Sequence, residues 1–203
     1  RRRGRRHYLE VAALEHGSVG SFARFTLQLL ALGAPAHLLA ETQAAALDEV
    51  RHAQLMYGVA SALGAQVGPG PLAATDAPPT DPATVLEALV EEGCVGETLG
   101  AVEAAAAAVD AVPTLAGLLT EVADDETRHA ALAWRTLVWM LETWPEHRPV
   151  AAAAFERALA RLSVPPTSER IPGLGILPEA ELTSLRRHAV DDVVRPLARR
   201  FLD

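Results

Sequence analysis

The sequence predicts an all-α chain built around a four-helix bundle, with a long crossover between the second and third helices and further helices after the fourth. Three observations predict it. Alanine and leucine dominate a composition that is half apolar but only 4% aromatic, and both residues favour helix. Glycine and proline gather at a few places and leave long helical runs between them. Two of those runs carry the same short polar motif.

The runs follow in order. The first extends from about Tyr8 to Leu32 and stops at Gly33-Ala34-Pro35. The second covers about Ala36 to Leu63 and stops at Gly64. From Ala65 to Thr80, Gly68-Pro69-Gly70-Pro71 and Pro78-Pro79 exclude a regular element. Asp81-Pro82 then reads as an N-cap followed by proline at the first helical position, and the third helix runs to about Ala111. Pro113 opens the fourth, which ends near Trp144-Pro145. Two hairpins with tight turns and a long connection between them make an elongated bundle over residues 8–146, with helices roughly 35–45 Å long at 1.5 Å per residue. Residues 147–203 are expected to be a helical extension packed on it. A short fifth helix covers Pro149 to about Leu162. A stretch broken by Pro165, Pro166, Pro172, Gly173 and Gly175 follows, then a last helix from Pro178 to Leu202, with Pro196 as a candidate kink.

Length and charge bound the function. With 203 residues the chain fits one domain. Its net charge of −8 argues against a nucleic-acid partner. The basic run Arg1–Arg6 is expected to be a frayed, solvated terminus, with residues 1–7 outside the bundle. The single cysteine, Cys94, forms no disulfide framework within the chain. No signal-like apolar segment follows the basic start. The longest stretch without Asp, Glu, Lys or Arg, Gln54 to Thr75, is too rich in Gly and Pro for a membrane helix. A soluble, cytoplasmic protein with no membrane partner is expected.

The repeated motif carries the chemistry. Residues 48–55 read Asp-Glu-Val-Arg-His-Ala-Gln-Leu and residues 125–132 read Asp-Glu-Thr-Arg-His-Ala-Ala-Leu, identical at six of eight positions. In each, Glu-x-x-His places a carboxylate and an imidazole one helical turn apart on one face. Two such motifs, with one Glu from each of two other helices, make a two-metal bundle site. The remaining glutamates follow from height along the hairpins. Glu126 lies 13 residues after Pro113 and Glu97 lies 14 before Ala111, so they match. Glu49 lies 14 residues after Pro35 and Glu15 lies 18 before Gly33, a looser match that still excludes Glu10. Glu15 also continues the apolar stripe Val19, Phe22, Thr26 and Leu29, where a carboxylate without a partner is costly. The expected ligands are therefore Glu15, Glu49, His52, Glu97, Glu126 and His129. Four carboxylates balance two divalent cations, and carboxylate and imidazole without thiolate suit iron or manganese. Two iron ions are expected, with two manganese ions or a mixed pair as the alternative.

The repeated Asp-Glu-x-Arg-His resembles the signature of ferritin-like di-iron carboxylate proteins, among them the ribonucleotide reductase small subunit, bacterial multicomponent monooxygenases, rubrerythrins and manganese catalases. The segments Glu15-His16-Gly17-Ser18-Val19-Gly20-Ser21-Phe22 and Gly93-Cys94-Val95-Gly96-Glu97-Thr98 resemble a small bacterial ferritin-like group within that superfamily. The resemblance covers about residues 8–144. It implies that Glu49 and Glu126 bridge the metals, that Glu15 and His52 ligate one, and that Glu97 and His129 ligate the other. It also implies that Asp48 and Asp125 accept the free ring N–H of the histidine on the opposite hairpin.

Other residues are read more plainly. Arg51 and Arg128 are expected to be outward salt-bridge partners. Cys94 is expected to be a small buried hydrophobe, with lining of an oxidant pocket as the alternative. Tyr8, Tyr57 and Trp134 are expected to pack, with a redox role as the alternative. Ala104–Ala108 reads as close helix packing, and His7, His16, His37, His147 and His188 carry no site pattern. Glycines 17, 96 and 100 lie near ligands in sequence and leave room for oxidant or for helix packing alike.

Three functions compete. The first is an oxidoreductase that activates O₂ or peroxide and oxidises a small organic substrate with electrons from an external donor or reductase. The second is a peroxide-detoxifying protein of the rubrerythrin or manganese-catalase kind, although one cysteine supplies no rubredoxin-like module. The third is a non-enzymatic iron store. Ferritin-type sites usually lack one of the two Glu-x-x-His arms, which disfavours storage.

Overall fold

The computed structural model describes residues 1–73, 77–162 and 169–202. These residues are almost wholly helical. No strand forms among them, only isolated bridges around Ala111, Ile171, Gly173, Leu174 and Ile176. The breakers Pro165 and Pro166, and Thr75 in the long connection, lie outside the described residues. The chain gathers into two compact units, Arg1–Thr80 and Asp81–Asp203.

The first unit is a hairpin of α1 (Arg2–Ala31) and α2 (Ala36–Ala62). Gly33 takes φ +70°, a left-handed conformation that favours glycine, and Pro35 then prevents α1 from continuing. Gln43 on α2 donates to Thr26 on α1 at 2.7 Å, and Arg5 near the start of α1 donates to the Gly64 carbonyl after α2 at 3.3 Å. These two bonds set an antiparallel register along the full hairpin.

The expected frayed terminus is a correction. α1 begins at Arg2, six residues before Tyr8. Packing is the reason: Gly4 and Tyr8 are buried, Arg5 is tied to Gly64, and Arg6 pairs with Glu10 one turn on at 2.8 Å.

The connection after α2 has no regular structure, as its prolines and glycines require, yet it is pinned along α1. His16 donates to the Gly70 carbonyl at 3.0 Å. Leu72 packs at Gly20, where a Cβ would meet its Cδ1 at 3.3 Å. Buried Gln28 donates to the Pro79 carbonyl at 3.0 Å. The connection therefore travels beside α1 in the same direction, and leaves the unit near the α1–α2 turn.

In the second unit, Asp81 caps α3 (Pro82–Ala88) by accepting from the Thr84 N–H at 2.9 Å. A π-helical segment (Leu89–Glu97) and α4 (Thr98–Asp110) continue it. The turn at Ala111–Val112 leads into α5 (Pro113–Thr143), which packs against the π-helical segment and α4. The sequence leads one to expect a third helix that is regular throughout, and the π-helical segment interrupts it. Gly93 and Gly96, both weak helix formers, lie inside the widened stretch. At Gly93 a Cβ would sit 2.7 Å from the Ala133 Cβ, so α5 approaches the backbone there more closely than any side chain allows.

The C-terminal residues belong to this unit. α6 (Arg148–Ala160) packs on the π-helical segment and α3, and α7 (Glu179–Ala189) packs on α4. Phe155 of α6 stacks on Trp134 with ring centroids 5.5 Å apart. A loop at 169–177 clamps the α4–α5 turn. Val112 donates to the Gly173 carbonyl at 2.9 Å, and Arg170 pairs with both Asp110 and Glu181. The last helix, expected as one piece, is a π-helical turn (Val190–Val194) between α7 and α8 (Arg195–Leu202). Pro196 has no N–H, and its ring crowds the carbonyl one turn back. The wider turn just before it absorbs that mismatch in place of a simple kink.

Gly93→Ala is expected to lower stability by about 1–3 kcal/mol through overpacking against Ala133. Gly117→Ala, where nothing lies within 4 Å of the added Cβ, is expected to raise it by up to about 1 kcal/mol. Urea denaturation of the two variants reads both signs.

Candidate metal centre

Each unit brings together one of the two sets of residues that the sequence singles out. In the first unit, Glu49 and His52 lie one turn apart on α2, and Glu15 reaches them from α1. His52 Nδ1 lies 3.8 Å from Glu49 Oε1 and 3.9 Å from Glu15 Oε2. In the second unit, Glu126 and His129 lie one turn apart on α5, and Glu97 reaches them from the end of the π-helical segment. His129 Nδ1 lies 3.8 Å from both Glu126 Oε2 and Glu97 Oε2. The same nitrogen faces two carboxylates in each hairpin, at nearly the same distances.

Those distances exceed hydrogen-bond length and suit a shared ion. Donors about 2.1 Å from one cation stand roughly 3.0 Å apart at a right angle and 4.2 Å apart across it. Within each triad, one donor atom from each residue lies within 4.8 Å of the others. All six side chains are largely withdrawn from water: Glu49, His52, Glu126 and His129 are buried, while Glu15 and Glu97 keep 15% and 18% of their side-chain exposure. Two buried carboxylates in so small a space call for a compensating positive charge. The residues present fit a divalent metal in each triad.

The electrostatics of Glu97 express that need. Burial above all, and then the neighbouring Glu126, push its carboxyl well above the ordinary range, and His129 opposes them. Gly100 lies over Glu126, and a Cβ there would stand 3.5 Å from Oε2. Glycine at 100 thus keeps side-chain bulk away from that carboxylate. By contrast, a Cβ at Gly17 would meet nothing within 4 Å, so helix packing does not require that glycine.

The flanking residues take definite partners. Asp48 accepts from Arg51 at 3.2 Å, and buried Asp125 accepts from Arg128, each one turn along its own helix. Both arginines are therefore ion-paired. Cys94 is fully buried, one turn before Glu97, and burial pushes its thiol well up. Its carbonyl accepts from Thr98 Oγ1 at 2.7 Å, and Trp134 Nε1 donates to the same hydroxyl at 3.3 Å. Tyr8 is buried and its hydroxyl is pushed up to about 12 by desolvation.

The π-helical segment that delivers Glu97, and the Thr98–Trp134 bond behind it, escape the sequence reading. The one available signal is the spacing Gly93, Gly96 and Gly100 within an otherwise helical run. Compared with known protein families, curated proteins and solved structures, the chain has no match. The geometry therefore carries the functional argument.

Two outcomes follow. Cys94 is expected to resist thiol reagents at pH 8 while the chain is folded and to react once in denaturant, as a chromogenic disulfide assay reads directly. Glu97→Gln is expected to stabilise the metal-free protein while weakening metal binding. A carboxyl raised in the fold favours its protonated form, so the parent loses stability as pH rises from the ordinary value of 4.5. The advantage of the variant should therefore be present at pH 7 and vanish near pH 4, as thermal midpoints across that range will show.

Proposed function

We propose that the two triads face one another in a ferritin-like four-helix bundle and hold two divalent metal ions, iron first, as the centre of an oxidoreductase that activates O₂ or peroxide. The observation that carries this reading is the duplicated triad. Two hairpins present Glu, Glu and His, with the histidine Nδ1 facing two carboxylate oxygens at matching distances. The connection pinned along α1 supports the crossover, because it carries the chain back along the hairpin before α3 starts.

In this reading Glu15 with His52 would hold one ion and Glu97 with His129 the other, with Glu49 and Glu126 available to either. Asp48 and Asp125 accept the second ring N–H of the histidine on the opposite hairpin, which leaves Nδ1 free to ligate. Bound in their reduced state, the two metals supply electrons to O₂ or peroxide. The chain's residues do the rest. Burial of Glu49, His52, Glu126 and His129 excludes water from the donors. Glu15 and Glu97, the more exposed of the six side chains, would have the most room to move. Cys94 is buried; in this reading the electrons come from a separate donor, and a small organic molecule is the substrate.

Elemental analysis of protein expressed with iron and manganese available tests the centre. About two metal ions per chain are expected. Glu126→Ala with His129→Ala should lose them, and Asp48→Asn should weaken binding roughly tenfold or more. A folded parent with no stoichiometric metal would sink the reading. Two manganese ions with O₂ release from peroxide would select the peroxide-detoxifying alternative, and loading far beyond two ions would select storage.

A further inference from the structure

The solvent side of α2 is unusual for a chain of this charge. Its exposed positions include Ala40, Gln43, Leu47, Val50, Gln54 and Gly58, and continue to Ala36 and Ser61 at the ends. None of the exposed positions on α2 is Asp, Glu, Lys or Arg. Its four charged residues, Glu41, Asp48, Glu49 and Arg51, are half-buried or buried. The exposed face of α5 differs, since it carries Glu121, Asp124, Arg128, Arg135 and Glu142. A helix that is apolar all round is normally buried, yet Leu47 is 71% exposed and Val50 39%.

Gly58 adds a second, independent sign. Mid-helix glycine costs roughly 0.5–1 kcal/mol relative to alanine. A Cβ at Gly58 would meet nothing within 4 Å, so no contact within the chain demands its absence. A backbone approaching from outside would.

We propose that this face of α2 packs on α2 of a second copy of the chain, antiparallel about a two-fold axis between Leu47 and Val50. The occupant follows from the order of residues. Read from either end, the stripe runs small, small, Gln, large apolar. Reversed on itself, it sets Leu47 opposite Val50, Gln43 opposite Gln54 and Ala36 opposite Ser61, with Gly58 one residue, about 1.5 Å, beyond the position opposite Ala40. A two-fold interface requires this self-complementarity, because residue i meets j and j meets i. Small residues at both ends let the two backbones approach, while the larger side chains interlock at the centre. Charge points the same way. Two copies each carrying a net −8 repel one another, and a face without charge lets them meet without burying any.

Sedimentation of the full chain, 21.5 kDa per copy, provides the test. The parent is expected at twice that mass at micromolar concentration. Leu47→Asp, at an exposed position where folding tolerates charge, is expected to weaken association about a hundredfold by setting like charges together at the axis. Cysteines give the register. Ala40→Cys combined with Gly58→Cys should form a covalent dimer on mild oxidation, and neither single variant should. Within one chain the two positions stand about 27 Å apart along the helix, so a bond between them joins two copies. A monomeric parent, or a dimer indifferent to Leu47→Asp, overturns the proposal. Cross-linking by Ala40→Cys alone overturns the antiparallel register.

Discussion

Carboxylates buried inside helical hairpins are the constraint on which the rest of this structure depends. Glu49 and Glu126 sit where a Leu would ordinarily be, and an ionised carboxylate in such a place is strongly penalised. Each is tolerated because the helices bring it to a histidine and a second glutamate, with donors spaced to share a cation. The hairpins have to be long and their turns tight. A slip of one residue turns Glu15 or Glu97 by about 100° about the helix axis, away from the histidine it now faces. Gly33 with Pro35, and the clamp of Val112 and Arg170 on the α4–α5 turn, hold those registers.

The second hairpin meets the constraint differently from the first. Its Glu97 stands at the end of a π-helical segment, where the additional residue in the turn shifts the direction of every side chain that follows. Gly93 lets α5 press against that segment, and Gly100 keeps bulk off Glu126. Behind them, Thr98 accepts from Trp134, and Trp134 stacks on Phe155 of α6. The C-terminal helices thus brace the irregular stretch that delivers one ligand. The first hairpin has no such irregularity in α1, along which the connection after α2 is pinned instead.

Much of this was legible before any coordinates. The helix limits follow from glycine and proline to within a residue or two, except at the start of α1. There, burial of Gly4 and Tyr8 outweighs the expectation for a charged terminus. The triads were legible because the Glu-x-x-His spacing is local and repeated, and because height along a tight hairpin can be counted from its turn. Counting even tolerated the π-helical segment: Glu97 still meets His129, since the distance was measured from the nearby turn at Ala111 and not through the irregular stretch. The π-helical turns themselves were hidden. They arise from contacts between elements, such as Gly93 against Ala133, and from how Pro196 is absorbed, and neither is encoded in periodicity.

The donor count bears on the kind of metal site that the triads could form. Each triad offers two carboxylates and one imidazole, so one divalent cation would balance its two carboxylate charges. Three side chains are fewer than a closed site supplies: structural tetrahedral sites use four protein ligands, while catalytic ones keep a position open. Iron or manganese favours more donors still. In the proposed centre, positions that these side chains do not fill would be left to water, oxidant or substrate. At Gly100 a Cβ would stand 3.5 Å from Glu126 Oε2, an ordinary contact distance that glycine leaves unfilled.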